Sequence, residues 1–132
     1  MPENVEVVLK SFEAHKAGGI EAALTFYAPD FVWDAGPQWV EERIYRGHDG
    51  ARRLDAVFIE SFDDYALVVD EIRAVDERVV ALYEVTGRIK DSGLPIRQPI
   101  GLVLSDFHDG MIGQVYSFFS WKDALQAVGV AG

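Results

Sequence analysis

The second half of the chain is an almost unbroken series of strand-forming segments, and this feature constrains the fold most. Four segments rich in β-branched and aromatic residues follow one another, at 65–75, 78–90, 95–107 and 111–119. Short polar or glycine-containing turns separate them, and the last turn holds an Asp-Gly pair, which is typical of a tight hairpin. The pattern therefore predicts an antiparallel meander of four strands.

The first half carries three helical patterns and one short strand. Apolar residues with a helical repeat predict a helix over 4–16 and a second helix that starts at Ile20 and stops before Pro29. The run 31–34 alternates like a strand, and an irregular segment follows it. Asp49 is predicted to cap a third helix, which buries Ala51, Leu54, Phe58 and Phe62.

After the meander, Ser120 is predicted to cap a short last helix that ends at Gly129. The order of elements predicts an α+β fold, in which helices pack on one face of a bent antiparallel sheet. At 132 residues and 49% hydrophobic composition, the chain is expected to form a single domain over 1–132. Since the strand over 95–107 is apolar on both faces, the outer face of the sheet is predicted to be buried in a homodimer.

The charge and composition of the chain indicate which partners, cellular location and cofactors to expect. The 22 acidic and 12 basic residues give a net charge of −10, which argues against nucleic acid and anionic membranes as partners. No apolar run approaches the roughly 18–20 residues that span a bilayer, and the acidic N-terminus is unlike a signal peptide, so a cytoplasmic location is predicted. The chain has no cysteine and no helical metal-ligand spacing, so neither a metal nor a cofactor is expected.

Asp34 is the first candidate for chemistry, because it ends the predicted short strand on the same face as Val32. If that face is buried, the carboxylate is costly to bury unless it is paired, hydrogen-bonded or used to transfer protons. A lone carboxylate in an apolar pocket has a raised pKa and can act as an acid or base near neutral pH. The alternative is that Asp34 merely begins the turn at Ala35-Gly36-Pro37.

The succession of elements, together with Tyr45-Arg46-Gly47-His48-Asp49-Gly50 at the start of the third helix, resembles the SnoaL-like branch of the NTF2-like superfamily. This group includes ketosteroid isomerases and polyketide cyclases. The resemblance implies a cone-shaped fold with an apolar cavity, a small hydrophobic ligand, and Asp34 at the position of the isomerases' general base.

The chain departs from the isomerase pattern at the two positions that supply hydrogen bonds to the reacting oxygen. Phe12 falls near the first position, and Ile100 or Gly101 falls near the second; none of these side chains donates a hydrogen bond. Steroid isomerisation is therefore not expected. Two hypotheses remain, namely cofactor-free acid–base catalysis by Asp34 in the manner of isomerases or cyclases, and a non-catalytic module for ligand binding or dimerisation.

Eight further residues are expected to line the cavity and bind the substrate. Tyr83 is placed inward because small residues share its face, and Trp39 is interpreted either as a mobile lid or as an interface residue. His15 lies near the apolar stripe of the first helix and is interpreted as a core histidine. The predicted binding residues are Phe12, Tyr27, Trp39, Phe58, Tyr83, Val103, Ser117 and Phe119.

Overall fold

One curved, six-stranded sheet forms the framework of the protein. The computed structural model describes residues 2–39 and 41–130. In chain order the elements are α1 (Pro2–Ala23), β1 (Tyr27–Asp34), β2 (Ile44–Arg46), α2 (Gly47–Ser61), β3 (Phe62–Val75), β4 (Arg78–Ile89), β5 (Pro95–Ser105), β6 (Ile112–Phe118) and α3 (Trp121–Ala127). A short 3-10 helix, Leu24–Phe26, links α1 to β1.

The strands lie in the order β2-β1-β6-β5-β4-β3. Neighbouring strands are antiparallel except for β1 and β6, which are parallel. Residues Val79, Ala81, Tyr83 and Val85 of β4 point to the inner face, where they join one core cluster with residues of α1 and α2. The predicted α+β fold and the predicted meander, β3 to β6, are confirmed.

The first half of the chain differs from the prediction in three places. α1 includes both predicted helices, which meet at Gly19, where φ is 73° and ψ is −163°, a backbone conformation accessible to glycine. The second of these segments ends early, because residues from Tyr27 onward join the sheet. The segment predicted to be irregular contains β2, which pairs with the end of β1. α1 is the longest helix, and neither it nor any other helix in the described ranges could cross a membrane.

The outer face of the sheet is partly covered by α3 of the same chain. Val80 and Leu82 of β4 pack there against Ala124 and Val128. A side chain at Gly101 of β5 would collide with Ala124, so glycine is what lets α3 approach the sheet. The expectation that helices cover one face only is therefore wrong, and a second subunit is not required to explain strands that are apolar on both faces.

Candidate functional site

Asp34 lies on the outer face of the sheet. The register pairs Asp34 with Tyr116 of β6 and pairs Trp33 with Val115, a buried residue of the inner core. The alternation predicted for this strand is thus correct, but the face of Asp34 is the outer one, because Phe31 and Trp33 fill the inner one. The expectation that Asp34 is enclosed in an apolar pocket is wrong.

Hydrogen bonds hold the Asp34 carboxylate in its ionised form. The guanidinium of Arg43 donates to both oxygens, from Nε to Oδ1 at 2.8 Å and from Nη2 to Oδ2 at 3.3 Å. The backbone N–H of Gly36 donates to Oδ1 at 2.9 Å. Partial burial alone would raise the pKa of Asp34, but the bonds from Arg43 and Gly36 outweigh it, and the pKa is lowered. This is the opposite of the shift predicted for a catalytic base.

A cavity lies on the inner face, between the sheet and the helices α1 and α2. Its volume is about 60 Å³. A cavity of about 150 Å³ accommodates benzene, so this one has room for only a few non-hydrogen atoms. Aromatic rings form much of the wall, and the lining residues are Ser11, Phe12, His15, Ile20, Ala23, Tyr27, Trp33, Ala51, Leu54, Asp55, Phe58, Tyr65, Leu67, Tyr83, Val85 and Leu102.

One carboxylate, Asp55, lies in the wall of this cavity. It belongs to α2, and the residue is only 6% exposed. His15 of α1 contacts its Oδ1 through Nε2 at 2.9 Å, and the hydroxyl of Tyr65 on β3 donates to the same oxygen at 3.3 Å. An ionised carboxylate only accepts hydrogen bonds, so Nε2 of His15 carries the hydrogen in this arrangement. Three separate elements thus hold one buried carboxyl group.

The second oxygen of this carboxylate, Oδ2, accepts no hydrogen bond from the described residues. In the described part of the chain, both hydrogen bonds to Asp55 go to Oδ1. There, every fully buried side-chain oxygen or nitrogen has a hydrogen-bond partner. Since Oδ2 has none, this oxygen is not fully buried, and Asp55 lines both the cavity and the groove outside it. A hydrogen-bond acceptor without a protein partner therefore belongs to a residue in the wall that the cavity and the groove share.

Three tyrosines line the cavity, and burial keeps the hydroxyl groups of all three protonated. Burial raises the pKa of Tyr27 to about 12, against the effect of a hydrogen bond with Ser11. Burial and the negative charge of Asp55 raise the pKa of Tyr65, and burial also raises the pKa of Tyr83. Neutral hydroxyls are hydrogen-bond donors, so the cavity supplies donors that the sequence comparison at Phe12 and Ile100 did not reveal.

A wider groove of about 1090 Å³ adjoins the cavity on the side of α1, α2 and β3. The cavity and the groove have six wall residues in common, and His15, Asp55 and Tyr65 are among them. These three side chains therefore separate the small inner space from the outer one.

The structure brings four of the eight predicted binding residues to the cavity, namely Phe12, Tyr27, Phe58 and Tyr83. Ser117 points inward but accepts a hydrogen bond from the indole N–H of Trp33 at 2.8 Å and does not line the cavity. The remaining three, Trp39, Val103 and Phe119, do not line the cavity. Val103 lies on the outer face near α3, and Phe119 packs against the inner core as predicted. Trp39 stacks between Phe58, which lines the cavity, and Phe119.

Sequence reasoning missed Asp55, although a pattern in the third helix indicates it. Asp55 stands four residues after Ala51 and three before Phe58, so it interrupts the apolar stripe of α2 with a charge. His15 stands three residues after Phe12, so it lies on the apolar stripe of α1. A polar residue on the apolar stripe of each helix is therefore the sequence pattern that indicates the contact between His15 and Asp55. Across the described residues, no group of three or more His, Asp or Glu side chains is arranged to hold a metal ion.

Comparison with known proteins gives one family match. The sequence profile of the SnoaL-like domain matches residues 8–115, which include most of α1, all the elements from β1 to β5, and the first part of β6. A search of the curated proteins gives no significant match.

Solved structures with the same fold cover nearly the whole chain. A protein from Jannaschia sp. CCS1, provisionally described as a SnoaL-like polyketide cyclase, is 20% identical, with a TM-score of 0.74 over 99% of this chain and 94% of the other. An NTF2-like protein of unknown function from Burkholderia pseudomallei K96243 is 20% identical, with a TM-score of 0.77 over 98% and 100%. A protein with a ketosteroid isomerase-like fold from Catenulispora acidiphila, in complex with trimethylamine, is 16% identical, with a TM-score of 0.73 over 95% and 93%. At these identities the likeness establishes the fold alone.

Proposed function

This chain belongs to the SnoaL-like domain family, and we propose that it binds one end of a small, largely apolar molecule in the cavity and transfers a proton there through Asp55. The chemistry is of the isomerase or cyclase type and needs no cofactor. The provisional description of the Jannaschia relative as a cyclase agrees with this class of reaction.

A single observation carries the proposal, namely the free Oδ2 oxygen of the buried Asp55. His15 and Tyr65 occupy only Oδ1, and they fix the orientation of the carboxylate between the cavity and the groove. A buried carboxylate with one uncommitted oxygen beside an apolar space is the arrangement expected of a general base. Asp34, by contrast, has both oxygens committed to Arg43.

In the proposed step, Oδ2 of Asp55 removes a proton from a carbon atom next to a carbonyl group. The electron pair of the broken C–H bond moves to the carbonyl oxygen, which becomes negatively charged. A cavity tyrosine, Tyr83 or Tyr27, donates a hydrogen bond to that oxygen and stabilises the charge. Asp55 then returns the proton to carbon at the same or another position. Because the proton is taken and returned by one group, the cycle consumes no co-reactant.

The exchange of hydrogen for deuterium next to a carbonyl group tests this step directly. We expect the wild-type protein to accelerate exchange of the α-protons of butanone in D2O, measured by proton NMR. Asp55→Asn keeps the shape of the side chain but removes the base, so the protein-dependent rate should fall by about 100-fold or more. Tyr83→Phe should lower the rate while Asp55 remains able to take the proton.

Asp34→Asn is the matched control, since it makes the same change at a carboxylate outside the cavity. A catalytic role for Asp34 stays a prediction, and the same assay tests it. Loss of exchange in Asp34→Asn, with exchange retained in Asp55→Asn, would reverse the assignment. If butanone shifts the indole N–H signal of Trp33 without any exchange, the protein is a binding module and not a catalyst of this type.

A further inference from the structure

The cavity is too small to hold more than one end of a ligand, but the groove outside it exposes a large apolar surface. At about 60 Å³ the cavity holds only a few non-hydrogen atoms. Five large hydrophobic residues of the described chain are exposed, and four of them line the groove next to the cavity. These four, which we call the groove patch, are Leu9, Ile59, Val68 and Val69. The fifth, Leu94, lies elsewhere.

The groove patch is an apolar surface that continues the cavity. Its members come from α1, α2 and β3, the elements that also carry His15, Asp55 and Tyr65. They are between 37% and 52% exposed, so each leaves apolar area in water that a ligand could cover. Along β3 the register shifts between Val69 and Glu71, and both Val68 and its neighbour Val69 border the groove although strand residues normally alternate.

The charges around the groove and the cavity restrict which ligands can bind there. Within the described residues no Lys or Arg lines the cavity, while Asp55 lies in its wall. The groove carries Lys16 and Lys90, but Lys90 is 3.8 Å from Asp63, and the groove also holds further acidic residues. The chain as a whole has a net charge of −10. An anionic head group would meet repulsion with no cation in the cavity to compensate it.

We propose, on the basis of the function proposed above, that the substrate is a neutral, slender carbonyl compound with an apolar tail. Its carbonyl end enters the cavity beside Asp55 and the tyrosines, and its hydrocarbon tail lies along the groove patch. The small cavity thus selects the head group, and the patch supplies affinity through burial of the tail. Fused-ring molecules are excluded from the cavity itself by size.

A series of 2-alkanones from butanone to decanone tests this inference, with binding followed by the indole N–H signal of Trp33. Trp33 lines the cavity, whereas Trp39 and Trp121 do not and serve as internal controls. We expect affinity to rise by up to about fourfold per added methylene until the tail extends past the patch. Alkanoates of the same length should bind at least about tenfold more weakly.

Substitutions in the groove patch distinguish binding of the hydrocarbon tail there from binding of the carbonyl end in the cavity. Ile59→Ser and Val68→Ser should reduce the gain per methylene and leave butanone binding unchanged, whereas Leu94→Ser, at a residue 60% exposed outside the groove, should change neither. If butanone binds but longer ketones gain nothing, the inference is wrong and the proposed function stands. If no ketone shifts Trp33, both are wrong. If the serine variants alter self-association and not ketone affinity, the patch is an interface between copies of the chain, which also overturns the inference.

Discussion

At the scale of single residues, two aspartates illustrate how surroundings decide what a carboxylate does. Asp34 meets a guanidinium and a backbone N–H on the outer face of the sheet, so its charge is compensated. Asp55 meets an imidazole and a phenol under the helices, and one of its oxygens remains open. The first arrangement leaves neither oxygen without a partner, whereas the second leaves one, as the proposed proton transfer requires.

We predict that Asp34→Asn lowers stability more at neutral pH than in acid. The pKa of Asp34 is lowered in the folded protein, so the stabilisation is fully present above its ordinary value of 3.8. It is lost as the pH falls through the lowered folded-state pKa. Urea unfolding of wild type and variant at pH 6 and pH 3 measures this. An equal difference in free energy of unfolding at both pH values would contradict the prediction.

At the scale of elements, β5 and α3 make a close contact that can be tested by substitution. Gly101 has no side chain, and Ala124 of α3 occupies the space where one would be. The neighbouring Trp121 anchors the same helix, since its indole N–H donates to the carbonyl of Tyr83 at 3.0 Å. α3 is therefore fixed to the outer face by close packing at one residue and by a hydrogen bond at another.

Gly101→Ala should destabilise the protein by about 1–3 kcal/mol, because the added methyl group overpacks this contact. The companion substitution Ala124→Gly creates room but costs up to about 1 kcal/mol of helix propensity. The double variant should therefore be more stable than the sum of the two single effects implies. Thermal or urea unfolding of the four proteins gives this coupling, and strict additivity would show that the two residues do not touch.

At the scale of the whole molecule, a homodimer through the outer face of the sheet stays a prediction. α3 already covers one part of this face, so a second subunit would have to use the part near β1, where Val32 and Tyr116 are half-buried. The net charge of −10 would oppose association of two copies unless apolar area compensates it.

Light scattering coupled to gel filtration tests this prediction, because it measures the molar mass of the protein in solution. We expect the wild-type protein to run as a dimer and Val32→Lys to run as a monomer, since it places a charge in the uncovered part of the face. Leu94→Lys adds the same charge at a site 60% exposed and should leave the mass unchanged. A monomeric wild type at high micromolar concentration would refute the dimer.

The sequence by itself determined most of the elements and which of their residues share a face. The meander, the three amphipathic patterns and the last helix follow from hydrophobic periods of 2 and 3.6, which depend on local geometry. Val32 and Asp34 were correctly placed on one face, and Tyr83 was correctly placed inward. β2 escaped prediction because only its pairing with β1 makes three residues into a strand.

Only the tertiary structure decided which face of β1 is buried and where the open carboxylate lies. Periodicity relates neighbours along a strand or a helix, but it carries no information about what packs against them. Phe31 and Trp33 take the inner face because α1 and α2 supply its apolar cover, and Asp34 is thereby turned outward. His15 and Asp55 are 40 residues apart and meet only when the two helices pack together, so no local pattern could establish their 2.9 Å contact.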